Sequence, residues 1–482
     1  MDLSSISEAY PRSAVEHAGV TYFLTRDPQS GERLLGVAGQ SAGFSGGQPA
    51  GEATLFPCTP DNLAELRRRL PWLTPQTLGL RTSFGFGDRI GCATPGHIQA
   101  LRSADPRGAI APIFAQQSVR ENTRTGRTPA QVMDDATWDL FGEGWREPWG
   151  ADADHVKEPS DLAPFAAAGY TFYTIDPSDH VDGSGHTASP AELRATLETL
   201  PWDALGGSYE TLKERYCAAP FQLDGLELRF DEVTLQRALV KYGRALVHTA
   251  AIANALGRLR AGAPYELEMS VDETDTPTTL QEHFFIANEL RERSLPVVSL
   301  APRFVGSFQK GVDYIGDPQV FAEDLRGHVA ILAHFGYYKL SIHTGSDKFS
   351  IYPTIAEQTA GRVHVKTAGT SYLEALRLVA ALEPGLFREM LDEARAGFEA
   401  NRKSYALDAQ LARVPTGAEL RDAELPALLD QFDARQVLHV AFGALLQRHG
   451  ARIRGLLHEH AGAYRSGLER HFARHIEPFV GK

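Results

Sequence analysis

Tyr265-Glu266-Leu267-Glu268-Met269-Ser270-Val271-Asp272 is the stretch from which the rest of the chain can be placed. Read as an extended strand, it puts Leu267, Met269 and Val271 on one face and Glu266, Glu268, Ser270 and Asp272 on the other. The apolar face needs a cover of helices. The acidic face can be enclosed only where a cation or a hydrogen-bond partner meets it. The wall of a closed barrel satisfies both demands. Short β-rich runs recur on either side, at Leu78–Ser83, Ala109–Ala115, Tyr170–Asp176, Pro296–Leu300, Lys339–His343, Arg362–Lys366 and Gln436–Phe442. Helical patterns lie between several of them, as at Asp231–Leu259, Thr279–Arg293 and Ser371–Leu382. Strands alternating with helices imply parallel pairing through right-handed crossovers. Eight such runs point to an α/β chain folded as a (β/α)8 TIM-like barrel with insertions rather than to a doubly wound sheet.

The predicted barrel spans residues 76–443. Before it, residues 1–75 read as a small α+β unit: a hairpin of Val20–Thr25 and Arg33–Val37 around Asp27-Pro28-Gln29-Ser30-Gly31, then a helix over Pro60–Leu70. After it, residues 444–482 read as an amphipathic helical extension packing over the outer ring. Residues 116–165 and 177–230 are expected to be insertions. The composition, 43% hydrophobic and 23% charged, is that of a globular protein and excludes a disordered chain. A net charge of −13 argues against a nucleic-acid or anionic-membrane partner. Cys58, Cys92 and Cys217 are too sparse for a disulfide framework, no run reaches a membrane span, and the first residues lack a signal-peptide pattern, so the expected compartment is the cytoplasm. A homo-oligomer is compatible with all of this.

The same parity argument locates the chemistry. In Leu340-Ser341-Ile342-His343, Ser341 and His343 face inward; in Val363-His364-Val365-Lys366, His364 and Lys366 do; Val437-Leu438-His439-Val440 adds His439. Asp176-Pro177-Ser178-Asp179-His180-Val181-Asp182 follows a strand and offers Asp179 and His180 at the same end. Imidazoles opposite carboxylates suit a divalent cation such as Zn²⁺, Mn²⁺ or Ni²⁺, with His180, His343 and His364 as its ligands. The alternative for the carboxylates is a buried ion pair with Arg81 or Lys366, and for the Asp176 loop a turn closed by Asx caps. Asp179 and Glu268, with Asp272 in reserve, are the expected acid/base groups. Arg303, Lys366, Ser346, Lys348, Arg120 and Arg124 are the expected substrate contacts, either through basic groups or through the loops after the sixth and seventh runs. For Arg303 the alternative is a structural pair with Asp313 or Asp317, and Thr370 or Ser371 serves equally as a helix N-cap. Gly85-Phe86-Gly87 lacks the third glycine of a dinucleotide fingerprint, so neither a nicotinamide nor a flavin is expected.

Ser270–Thr278 (SVDETDTPT), Ser299–Asp317 (SLAPRFVGSFQKGVDYIGD), Lys339–Pro353 (KLSIHTGSDKFSIYP) and His364–Arg377 (HVKTAGTSYLEALR) resemble the tagaturonate epimerases, as do Asp176–Val181 and Gln436–Gly443. The resemblance covers most of residues 76–450. It implies a metal-dependent barrel enzyme that interconverts D-tagaturonate and D-fructuronate, a small sugar acid being its partner. Relatives of this type that take neutral or phosphorylated ketohexoses keep a ketose 4-epimerase open. An aldolase or isomerase on the same barrel and a non-catalytic sugar-acid binder are the other readings. The inverted carbon lies β to the ketone, so simple enolisation does not reach it. The expected route is retro-aldol cleavage, rotation of the aldehyde and re-addition.

Overall fold

The computed structural model describes residues 10–367 and 369–481. The first nine residues of the predicted N-terminal unit, Ala368 in the loop after the last barrel strand and the terminal Lys482 lie outside the described residues.

Eight parallel strands close into a barrel: β1 (Ser83–Gly87), β2 (Ala111–Ser118), β3 (Gly150–Val156), β4 (Phe172–Ile175), β5 (Glu266–Ser270), β6 (Val297–Ala301), β7 (Lys339–Ile342) and β8 (Val363–Lys366). The ring closes where β8 pairs with β1, His364 lying opposite Ser83. On β5 the parity holds. Leu267 and Met269 are buried beneath the helical ring, and Glu266, Glu268 and Ser270 are buried inside. Glu268 lies in register with Thr174 on β4 and Ser299 on β6. The long helix Glu232–Arg260 starts where Asp231 accepts the Thr234 N–H at 2.7 Å, and Leu280–Glu292 starts at a capping box of Thr279 and Glu282.

Two strand assignments are corrected. Gln436–Phe442 is not the eighth strand, because Phe432–Val440 forms a helix capped by Gln431. Asp433 to Val440 are all buried, so no polar face marks the helical period, and the branched residues imitate a strand. The missing strand is β3, inside the stretch read as the 116–165 insertion. Its sequence, Gly-Ala-Asp-Ala-Asp-His-Val, carries small residues outward and acids inward, with little of the branched content that betrays strands. The first strand also starts later than Leu78: the N–H groups of Leu78 and Gly79 are donated to Glu266 at 3.0 and 2.5 Å and plug the barrel floor. Gly85 on β1 has a steric reason. A Cβ there would sit 2.4 Å from the amide oxygen of Gln116, which fills the space from β2 and donates to Asp152 at 3.3 Å.

The N-terminal unit is a five-stranded antiparallel sheet with the helix Pro60–Arg69. The predicted hairpin is there, with Leu24 opposite Leu35 and a turn in which Asp27 accepts the N–H groups of Gln29 and Ser30. It docks on the helix Pro129–Gly142 through an Arg33–Asp139 pair of 2.6 Å. The C-terminal helices Phe442–Glu459 and Ala461–Ile476 pack outside the barrel; Leu468 closes on Gly96, where a Cβ would be 2.5 Å away. Among the described residues, no helix is long and apolar enough to cross a membrane.

Candidate active site

The interior is built in layers of polar groups. At the floor, Lys339 donates to the carbonyls of Gly79 (2.9 Å) and Arg81 (3.1 Å) and to the Ser83 hydroxyl (2.9 Å), close to Glu266. Above it, Lys366 Nζ lies 2.6 Å from Asp154, 2.9 Å from Asp152 and 3.1 Å from Glu268, and it also donates to Thr174. One ammonium thus serves three buried acids. Arg81, the other cation considered for these acids, is exposed and donates to the Gly108 carbonyl.

At the C-terminal end, Glu268 Oε1 lies 2.6 Å from His343 Nε2, and the other nitrogen of that ring, Nδ1, is 3.1 Å from Asp272. His155, at the end of β3, repeats the arrangement: Nδ1 is 3.0 Å from Asp176, and Nε2 faces Asp154 at 3.8 Å. The two rings meet edge-on with centroids 5.1 Å apart. His155 has φ +51°, a left-handed conformation that a non-glycine residue adopts only under local constraint, and this turns its ring into the barrel mouth. His155, His343 and Asp272 bring ligand atoms within 4.8 Å of one another, and His155, Asp176 and Glu273 form a second, overlapping group.

The electrostatics are set by excess acid. Burial works against the charged form of His155, yet Asp154 and the bond to Asp176 raise its pKa to about 10. Burial likewise opposes protonation of His343, and Asp272 and Glu268 overcome it. Glu268 and Asp272 stay well below the usual carboxylate range despite burial, held there by Lys366 and His343 and by His343 and His155 respectively. Asp152 is the exception. Burial lifts it to about 6 even beside Lys366.

A cavity of about 420 Å³ opens above this centre. Asp272 and His343 reach it from below, Arg303, Phe304, Phe308 and Lys310 line its walls from the loop after β6, and Tyr405 flanks it. Lys310 donates to the Thr344 hydroxyl at 2.8 Å. Asp313 accepts from Ser350 and Asp317 caps the helix Pro318–Phe335; among the described residues, neither pairs with Arg303.

The expected site residues therefore separate. Glu268, Asp272, His343 and Lys366 come together. His364 lies one layer down, with Nδ1 2.8 Å from the Ser83 hydroxyl and burial pushing its pKa to about 3. His180 stacks on His248 with ring centroids 3.9 Å apart, near Glu158, outside the His155–His343 group. Asp179 is exposed and pairs with Lys157 at 3.1 Å. Lys348 is fully buried and donates to the carbonyls of Gln309, Val312 and Ser346, so it braces the Lys310 loop from behind, and Ser346 is buried with it. Arg120 pairs with Glu273 at 3.3 Å and lies over Tyr405, whose hydroxyl Arg124 also reaches. His439 sits on the helix Phe432–Val440 against Arg89, 3.4 Å away. Sequence reasoning missed His155, Asp152, Asp154 and Lys310. The alternation Asp152-Ala153-Asp154 is the signal that could have found the two acids, whereas His155 breaks that parity and enters the mouth through its left-handed backbone.

Comparison with known proteins identifies the family. The family model described as tagaturonate epimerase matches residues 10–479. The chain is 39% identical to the tagaturonate/fructuronate epimerase of Thermotoga maritima, over 98% of this chain and 97% of that one. The native crystal structure of the fructuronate-tagaturonate epimerase UxaE from Cohnella laeviribosi superposes with a TM-score of 0.92 at 36% identity, covering 100% of this chain and 98% of that one. Its complex with one glycerol gives a TM-score of 0.91, also at 36% identity, with coverage of 98% and 97%. The polar-cored barrel belongs to the tagaturonate epimerase family and is a carbohydrate epimerase.

Proposed function

We propose that this chain interconverts D-tagaturonate and D-fructuronate with a divalent cation held by His155, His343 and Asp272. The observation that carries the metal is the disposition of the two imidazoles. Each spends one nitrogen on a carboxylate, His343 on Glu268 and His155 on Asp176, leaving the other beside Asp272 or Asp154. Ligating histidines are oriented in this way, and three protein ligands leave positions open for substrate. Such a cation would act as a Lewis acid for the negative charge of an enediolate.

The chain's own groups do the rest. Arg303 and Lys310 face the cavity as cations and receive the substrate carboxylate, the Arg303 fork in bidentate fashion. Glu268, sealed beneath His343, positions that ring. Asp179 is turned to solvent beside Lys157 and does not line the mouth, so Glu273, which does, takes the role of moving the hydroxyl proton of the inverted carbon. Loss of that proton breaks the neighbouring C–C bond. The freed aldehyde turns over and re-addition returns the proton to the new hydroxyl. Phe304 and Phe308 help keep water from the open-chain fragments. Proton NMR of each uronate with metal-replete protein tests the reading: each should yield the other. Accumulated cleavage fragments would indicate an aldolase, and unchanged substrate would reject the proposal.

A further inference from the structure

The chemistry lies at the C-terminal end of the strands. At the N-terminal end a separate cavity of about 670 Å³, larger than the mouth itself, is lined by four arginines. Arg81 precedes β1, Arg107 precedes β2 and Arg146 precedes β3, while Arg102 reaches in from the helix Thr94–Ala104. Arg81, Arg102, Arg107 and Arg146 donate to backbone carbonyls of Gly108, Glu143, Val480 with Gly481, and Ala14. Among the described residues, no carboxylate lies within 4.0 Å of Arg81, Arg107 or Arg146. Arg102 approaches Glu143 only at 3.7 Å, and that acid is already shared with Arg12 and Arg465. That approach is made by Nη1, a buried nitrogen that makes no hydrogen bond. Of the acids at the cavity, Asp105 spends both oxygens on the N–H groups of Ala109 and Ile110, and Glu147 is exposed. Trp145 and Leu101 supply an apolar wall.

In a chain of net charge −13, four guanidiniums share one cavity with only two lining acids, Asp105 and Glu147, among the described residues, so positive charge is in excess there. Their planar forks match phosphate and carboxylate oxygens. We propose that this cavity is a binding site for a small polyanion, a metabolite bearing two or more phosphate or carboxylate groups, whose carbon skeleton lies against Trp145. It is remote from the substrate mouth, so its occupant stabilises the fold and does not compete with the uronate.

Calorimetric titration with inorganic pyrophosphate, and in a second arm with citrate, tests the site and separates phosphate from carboxylate ligands. Saturable 1:1 binding that weakens with salt is expected in at least one arm. Arg81 and Arg107 are exposed, so the R81A/R107A double variant should fold, turn over substrate normally and bind the anion at least tenfold more weakly. R146A is an independent second variant with the same expectation, and R303K, altered at the mouth, should bind as the parent does. No saturable heat in either arm, unchanged affinity in both arginine variants, or loss of binding in R303K would overturn the proposal.

Discussion

Replacing Lys366 by methionine removes the charge on which the barrel interior depends. Its ammonium lies within 3.1 Å of Asp152, Asp154 and Glu268, all nearly or fully buried. Asp154 keeps His155 nearby at 3.8 Å and Glu268 keeps His343 at 2.6 Å; among the described residues, Asp152 keeps no cation. Breaking a buried pair from one side costs about 3–5 kcal/mol. The loss should depend on pH in a stated direction. Asp152 already has its pKa raised to about 6 by burial, and without Lys366 it rises further. A carboxyl whose folded pKa exceeds its unfolded one contributes stability that is complete below the unfolded value and is lost as pH rises through the folded one. K366M should therefore fall short of the parent by about 3–5 kcal/mol at pH 8 and by less at pH 6, the gap closing at up to ~1.4 kcal/mol per pH unit for one proton. The double variant K366M/D152N should recover much of the deficit at pH 8. Urea unfolding followed by circular dichroism between pH 6 and 8 measures all of this. A deficit below about 1 kcal/mol at pH 8, or one that ignores both pH and D152N, would refute the account of Lys366 as a counter-ion to buried acids.

His155→Ala should abolish high-affinity divalent-metal binding and turnover together, whereas His180→Ala should leave metal content unchanged; elemental analysis after dialysis against a trace divalent salt distinguishes them. Arg303→Lys should raise KM for the uronate by roughly tenfold or more through loss of the bidentate fork, with kcat and Tm kept; steady-state kinetics and a thermal melt check both halves. His97, stacked on Phe86 and buried, has its pKa lowered to about 4, chiefly by burial. Its contribution to stability is present above the unfolded value near 6.5 and is lost as pH falls towards 4, so His97→Gln should reduce by about one proton the uptake on unfolding near pH 5, read from the slope of stability against pH.

How far the sequence reaches is clearest from the two strands it misplaced. On β5 an outward row of Leu267 and Met269 alternates with acids, and periodicity carries the reading. β7 and β8 are legible in the same way, since Leu340, Ile342, Val363 and Val365 are the residues that meet the helices. β3 has alanines in those places, so the apolar signal is faint. The helix Phe432–Val440 errs in the opposite direction. From Asp433 to Val440 every residue is buried, and a helical run with no solvent face has no period to read.

The omissions from the site are the same error seen from inside. Glu268, Asp272 and His343 were legible because their strands were. His155, Asp152 and Asp154 are hidden with β3; of these His155 belongs to the candidate metal group, for which the sequence offers His180 and His364 instead, histidines whose rings stack on His248 or bond to Ser83. No local pattern could reveal that Lys366 serves acids more than 200 positions earlier in the chain, at Asp152 and Asp154. Charge balance would have helped. Asp152, Asp154, Asp176, Glu268 and Asp272 crowd the upper barrel, with Lys366 inside and Lys157 at the rim as their fixed cations. Such an excess of acid can be met by protonating His155 and His343, which is the direction both imidazoles are pushed, or by a divalent cation in place of those protons. If the cation is held where we propose, its binding must displace the protons the acids draw onto the two rings. Titrating the apoprotein with Zn²⁺ at pH 7 in buffers of different ionisation enthalpy should then show net proton release, with about one proton per ion coming from His155, whose pKa is raised to about 10. Metal bound with no proton release would mean that His155 and His343 are not its ligands.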